Sequence, residues 1–234
     1  MKAEEVQKKL QTLGAPEAEA IARRFFKTGP GEYGEGDRFR GIKVPMVRAV
    51  ASEYRGLPFP EVKRLLSSPF HEDRLAALDI LARQFKRGDD ALREKIYRHY
   101  LGGARWINNW DLVDMSAPHI LGAYLEDRDR TPLYKLARSK NLWERRMAIL
   151  ATLWFIRKKD FTDALRIADL LVAAPEDLLH KAVGWMLREV GKRDRKAEES
   201  FLARHCRTMP RTMLRYAIEH FPEPRRQAYL KGVP

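Results

Sequence analysis

Arg74-Leu-Ala-Ala-Leu-Asp-Ile-Leu81 decides how the rest of the chain is read. Leu75, Leu78, Leu81 and then Phe85 recur at steps of three and four, the spacing of one face of an α-helix. The same pattern returns at Arg145-Arg-Met-Ala-Ile-Leu-Ala-Thr-Leu153, at His180-Lys-Ala-Val-Gly-Trp-Met-Leu187 and at Arg215-Tyr-Ala-Ile-Glu-His-Phe221. Residues 145, 180 and 215 are 35 apart, and 74 lies 71 before 145, two periods plus one residue. A further copy is expected near 109 or 110, where Asn109-Trp-Asp-Leu-Val-Asp114 stands. Two helices per period of this length are the mark of an α-solenoid, in which equivalent helices line one concave face.

The remainder agrees with an all-α chain of roughly a dozen helices. Val, Ile and Thr never gather in alternating runs, and no Asn-Gly or Asp-Gly hairpin signal occurs. Further apolar stripes run through Met147, Leu150, Leu153 and Trp154, and through Val183, Met186, Leu187 and Val190. Breaks are expected at Gly14, Gly29 to Gly36, Gly56-Leu-Pro58, Ser68-Pro69, Gly102-Gly103, Pro132, Pro175 and Pro210. One domain spanning 1–234 is expected, built of about six helix pairs.

Composition bounds the partners. The 234 residues carry 45 Lys+Arg against 32 Asp+Glu, a formal charge of +13 with pI near 9.9. That excess favours a polyanion, nucleic acid before an anionic membrane surface. A mean hydropathy of −0.51, with no apolar run of about 18 residues, argues against a transmembrane helix. The charged start Met1-Lys-Ala-Glu-Glu5 does not read as a secretory signal. The single cysteine, Cys206, allows no internal disulfide and suits a reducing cytoplasm, where association with the nucleoid is expected. A monomer is the expectation, since no heptad seam is present.

Few residues look equipped for chemistry. The six histidines form no His-x-x-x-His pair, so a zinc site is not expected. Gly29-Pro-Gly-Glu-Tyr-Gly-Glu-Gly36 carries two glutamates and lacks a following Gly-Lys-Ser/Thr, so it is no phosphate loop. It reads as a connection from the second helix to Val44, or as a flexible loop that closes Tyr33 over a ligand. In Asn108-Asn-Trp-Asp-Leu-Val-Asp114, Asn108 is expected to cap a helix with Asp111 at capping-box spacing. Asp114 lies past that cap among Leu112, Val113 and Met115, and shares a helix face with Trp110. A carboxylate so placed is costly unless paired, either with a neighbouring arginine or with a ligand. The repeat register puts Trp110 level with Arg145/Arg146 and His180/Lys181, and Asp114 level with Ile149/Leu150 and Trp185. Asn141 caps a further helix before Trp143; Trp143 and Trp154 read as core, and Gly184 beside Trp185 allows a close approach. Lys43 and Arg48 flank Pro45 at a helix start, where free amides also suit a phosphate.

Taken together, these segments resemble the AlkD-type DNA alkylation-repair glycosylases, a family of HEAT-like helical solenoids. The resemblance rests on Gly41-Ile-Lys-Val-Pro45 with Arg48 and Asn109-Trp-Asp-Leu-Val-Asp114. It also rests on Asn141-Leu-Trp-Glu-Arg-Arg146 with Ala148-Ile-Leu150, and Lys181-Ala-Val-Gly-Trp-Met-Leu-Arg-Glu189. The matching pieces extend over roughly residues 20 to 220. The resemblance implies a monofunctional glycosylase that excises cationic N3- or N7-alkylated purines from duplex DNA, reached from the backbone side. It carries the catalytic aspartate onto Asp114, the two site tryptophans onto Trp110 and Trp185, and the DNA-gripping arginine onto Arg146. Lys43, Arg48, Lys181 and Arg188 are the accompanying candidates for phosphate contacts, and no metal or organic cofactor is implied. The chain departs from the best-known members in the long Gly29–Arg40 connection and at Lys43-Val44, where they carry polar uncharged side chains. The alternative is a non-catalytic relative that binds damaged or branched DNA.

Overall fold

A computed structural model describes residues 1–232. Among them there is no β-strand, only an isolated parallel bridge between Arg38 and Phe70. The chain divides into two compact units, 1–120 and 121–234.

The first unit contains α1 (Ala3–Leu13), α2 (Pro16–Phe25), α3 (Val44–Glu53), α4 (Phe59–Leu66), α5 (His71–Arg87), α6 (Asp90–Gly102) and α7 (Trp110–Ala117). Helix α5 is its centre and packs against α3, α4, α6 and α7. The expected stripe of Leu75, Leu78, Leu81 and Phe85 is buried. So are all the other residues from His71 to Leu81, including His71, Glu72, Asp73, Arg74 and Asp79. Charges taken out of water in that number must be matched within the protein. They are matched largely by residues 37–42.

The second unit contains α8 (Thr131–Ala137), α9 (Leu142–Ala151), α10 (Leu153–Arg157), α11 (Thr162–Leu171), α12 (Asp177–Gly191), α13 (Arg195–His205), α14 (Arg211–Ala217) and α15 (Glu223–Lys231). Its central helix, α12, buries Val183, Met186, Leu187 and Val190 and packs against α9, α11, α13 and α14. The close approach expected at Gly184 is to α14. A Cβ there would stand 2.5 Å from the Met213 carbonyl oxygen and 2.6 Å from Tyr216 Cβ. The stripe through Met147 and Trp154 is not one helix, because the chain breaks at Thr152, whose hydroxyl donates back to the Ile149 carbonyl at 2.6 Å.

Helix starts confirm the repeat and correct its register. Helices α9 and α12 begin 35 residues apart, and α5 begins 71 before α9. Arg74, Arg145 and His180 are each the fourth residue of their helix, and the expected copy near 110 exists as α7. Trp110, however, is the first residue of α7, so Asp114 corresponds in register to Arg146 and Lys181. The shift arises because residues 107–109, between the 3₁₀ turn Ala104–Trp106 and α7, are non-helical where the other copies already run as helix.

Candidate functional site

Helix α7 starts one residue later than expected. Its cap is Asn109, fully buried, with Oδ1 accepting from the Trp110 amide at 2.8 Å. Asn108 is not the cap; its Nδ2 donates to Asp37 Oδ1 at 3.4 Å. The Asn109 amide reaches the same carboxylate, its Nδ2 donating to Asp37 Oδ2 at 3.3 Å. Asp111 does not close a capping box either. Its Oδ1 accepts from the Leu112 amide at 2.9 Å, and its Oδ2 accepts from His71 Nε2 at 2.8 Å.

His71 and Asp37 form the middle of this arrangement. His71 Nδ1 donates to Asp37 Oδ2 at 3.1 Å, and Arg74 is ion-paired with Asp37. Burial alone would drive the imidazole toward its neutral form. The Asp111 charge and hydrogen bond, together with the Asp37 hydrogen bond, outweigh burial and the opposing Arg74 charge, raising its pKa to about 9. Burial likewise works against the Asp37 carboxylate, but hydrogen bonding from His71 and the Arg74 charge leave its pKa below the usual value. The imidazole therefore stays protonated at neutral pH between the side chains of Asp37 and Asp111.

The Gly29–Arg40 connection is fastened rather than loose. The Glu32 and Glu35 carboxylates accept from the Gly29 and Gly31 amides at 2.8 and 2.9 Å, and the Tyr33 hydroxyl meets the Phe25 carbonyl at 3.5 Å. Its end is strapped to α5. Glu72 accepts from the amides of Arg40, Gly41 and Ile42 at 2.9, 2.9 and 3.1 Å, while Arg40 holds Asp73 through two bonds of 2.8 and 3.0 Å. Gly41 adopts φ +73°, and a Cβ would lie 2.4 Å from the Ala15 carbonyl oxygen, so no other residue fits. Buried carboxylates thus pin residues 40–42, while the stretch around Tyr33 is held by its own exposed glutamates.

Trp110 stands on this base. Its ring stacks on Phe26 at 5.5 Å and 23°, and meets the edge of exposed Phe25 at 5.9 Å and 70°. Phe26 continues onto Phe39 at 5.0 Å and His71 at 4.9 Å. One turn along α7, Asp114 is half-buried. Beneath that helix the fully buried Tyr100 hydroxyl bonds Ser116 Oγ at 2.8 Å; burial raises its pKa, and the Asp114 charge raises it further. Lys43 and Arg48 are exposed at the start of α3, which has no side-chain cap and no acidic residue in its first turn.

The second unit carries the remaining candidates. Trp185 is half-buried on α12. Lys181 pairs with Asp177 at 2.8 Å, and Arg188 pairs with Glu219. Arg146 is only 4% exposed, with Nη1 donating to the Leu178 carbonyl, so it ties α9 to the start of α12. Trp143 is core at 8% exposure, as expected, under the Asn141 cap that accepts from its amide at 2.8 Å. Trp154 is half-buried and donates from Nε1 to Glu126 at 2.9 Å. Among the described residues no group of three or more His, Cys, Asp or Glu side chains is placed to hold a metal ion.

Asp37 and His71 were not picked out from the sequence. The available signal was the run His71-Glu-Asp-Arg74 leading directly into the apolar stripe of Leu75, Leu78 and Leu81, which demanded partners for four polar side chains.

The sequence model for DNA alkylation repair enzymes matches residues 6–221. The chain belongs to the DNA alkylation repair enzyme family. A predicted DNA alkylation repair enzyme from Enterococcus faecalis has a similar structure, with 18% identity and a TM-score of 0.68 over 90% of this chain and 97% of that one. AlkD2 from Streptococcus mutans is similar at 16% identity and TM-score 0.54, covering 93% of this chain and 96% of its own. Smu.31 from Streptococcus mutans UA159 follows at 16% and 0.52, with 92% and 95% covered. At these identities the likeness speaks for the fold, an all-helical one consistent with a helical-repeat solenoid. No curated protein matches the chain. Membership makes this a DNA-repair enzyme of the alkylation class. No helix among the described residues of this family member is long and apolar enough to cross a membrane.

Proposed function

We propose that this repair enzyme is a monofunctional DNA glycosylase, acting as a monomer on duplex DNA that carries cationic N3- or N7-alkylated purines. The observation that carries the reading is the face of α7. A half-buried carboxylate, Asp114, lies one turn beyond a tryptophan whose ring is fixed by Phe26 and Phe25.

An alkylated purine already bears positive charge, so it leaves with the electron pair of the N-glycosidic bond and needs little protonation. The demanding species is the oxocarbenium-like sugar. The Asp114 carboxylate stabilises that developing charge and orients the water that adds to the anomeric carbon, taking up its proton. An abasic site and a free base result, and no strand is cut. The indole face of Trp110 attracts a cationic base or sugar, worth about 0.5–2 kcal/mol. On the second unit Trp185 is proposed to act on the DNA in the same way. Lys43, Arg48, Lys181 and Arg188 are proposed to contact phosphates, which position the duplex and make affinity salt-dependent. For Arg146 the DNA contact rests on the family resemblance alone, since its side chain is buried against Leu178. The charge of +13 supports a polyanionic partner.

The test is release of 7-methylguanine from duplex DNA by the protein and by Asp114→Asn. A loss of roughly 10²–10³ in rate with duplex affinity retained is expected. Equal rates would remove Asp114 from the mechanism, and no release by either protein would leave a DNA-binding relative without glycosylase activity.

A further inference from the structure

The charged cluster at the start of α7 is larger than a cap requires. A cap is one side-chain oxygen that takes one of the free amides of a helix N-terminus, and Asn109 already supplies it. Asp37, His71, Arg74 and Asp111 are additional, and three of the four have side chains no more than 3% exposed. Enclosing that many charges is costly and leaves a single well-matched arrangement.

The cluster reaches Trp110 by two routes. One is polar: His71 Nε2 holds Asp111, the residue after Trp110, and His71 Nδ1 holds Asp37, which also bonds Asn109, the residue before it. The other is aromatic: the His71 ring lies 4.9 Å from Phe26, on which Trp110 stacks at 5.5 Å, and 4.6 Å from Phe39. The groups facing His71 are thus Asp37 from the 26–43 segment, Asp111 from α7, Arg74 from its own helix, and the rings of Phe26 and Phe39. We propose that His71, by bridging Asp37 and Asp111, is a positioning residue that fixes the backbone and ring of Trp110 for contact with DNA. The proposal deepens the glycosylase reading and rests on it for the purpose of that contact, though not for the positioning itself.

The chemistry follows from the number of donors on the ring. Only the protonated imidazole has two N–H groups, so only it can donate to both carboxylates at once. Loss of the proton leaves one carboxylate without its donor and the cluster with a net charge of −1. Asp111 is the carboxylate free to turn outward, since its side chain is 14% exposed against 3% for Asp37. Its release loosens the first turn of α7. The raised pKa of His71, about 9, puts this event in alkaline solution.

The test labels the full chain with 5-fluorotryptophan and follows ¹⁹F resonances from neutral to alkaline pH, with the Trp110 signal assigned through Trp110→Phe. In the unsubstituted protein the Trp110 signal should move with a midpoint near pH 9. In Asp111→Asn, which removes a charge and keeps an acceptor, the midpoint should fall by roughly one pH unit or more. In His71→Gln the titration should vanish. Base release from 7-methylguanine duplex is measured alongside and should show an alkaline limb with the same midpoints. A Trp110 signal that does not titrate, or that titrates identically in all three proteins, overturns the positioning role. A signal that behaves as expected while no protein releases the base supports the positioning and refutes the glycosylase reading, so the two fail separately.

Discussion

The two units fasten their connecting segments with ionic clusters of opposite character. In the first, Asp37, His71 and Arg74 have side chains 3%, 2% and 3% exposed. In the second, Arg130 is 23% exposed and joins Asp160, 39% exposed, and Asp163, 10% exposed, by bonds of 2.6 Å while lying over the Phe155 ring at 3.9 Å. Both clusters tie a loop to helices, and a count of ion pairs would rank them alike. Solvent distinguishes them. Water can replace a lost partner around Arg130, whereas nothing can do so around His71, so only the first cluster makes its segment all-or-none. Trp110 stands on the all-or-none cluster, while Trp185 sits on α12, a helix that packs against α14.

The contrast is broken most directly at Asp37. Asp37→Ala leaves the buried Arg74 without its carboxylate and His71 Nδ1 without its acceptor, Asp111 alone still holding the imidazole, and should cost about 3–5 kcal/mol in denaturant unfolding. A cost within about 1 kcal/mol would mean water reaches the cluster. Next is the close approach on the other unit: Gly184→Ala pushes a methyl group onto the Met213 carbonyl and should cost about 1–3 kcal/mol, read by the same melts.

The pH dependence of stability sharpens the comparison further, because each unit holds a group with a raised pKa. His71 stands at about 9 against an ordinary 6.5. Glu198 of α13 is 1% exposed, and burial, opposed by the Arg195 charge, raises its carboxyl to about 8 from 4.5. Both folded-state groups hold their protons more tightly than the unfolded chain does. The stabilisation each contributes is therefore complete below its ordinary value and is lost as pH rises through the folded value, across 6.5 to about 9 for His71 and 4.5 to about 8 for Glu198. Thermal melts should show a lower Tm at about pH 9 than at about pH 6, and Glu198→Gln should recover a few degrees at the higher pH only. A pH-independent Tm would refute both assignments. The smallest effect is expected from Asp160→Ala, within about 1 kcal/mol, since its partner stays solvated and keeps Asp163.

Parts of this arrangement were legible beforehand for a local reason. The stripes of α5 and α12, the breaks at Gly14 and Pro210, and the Asn141 cap all depend on residues within a few positions of one another. The α7 start misled because two adjacent asparagines compete for one cap. Both also bond Asp37, 71 and 72 residues away in sequence, a contact that no local pattern reveals. Asp111 read as a capping residue for the same reason, its partner His71 lying 40 residues distant. Asp114 and Trp110 on one helix face were visible, since i and i+4 neighbours need no tertiary information.

Periodicity, charge and the recurring 35-residue pattern were enough to establish from the sequence alone a helical repeat chain suited to a polyanion, because helix formation and net charge are properties of neighbours and sums. Which carboxylates sit inside, which asparagine caps α7 and how Trp110 is held were decided only by tertiary structure. A buried charge is tolerable just where partners from distant segments converge on it, and no local rule encodes that convergence.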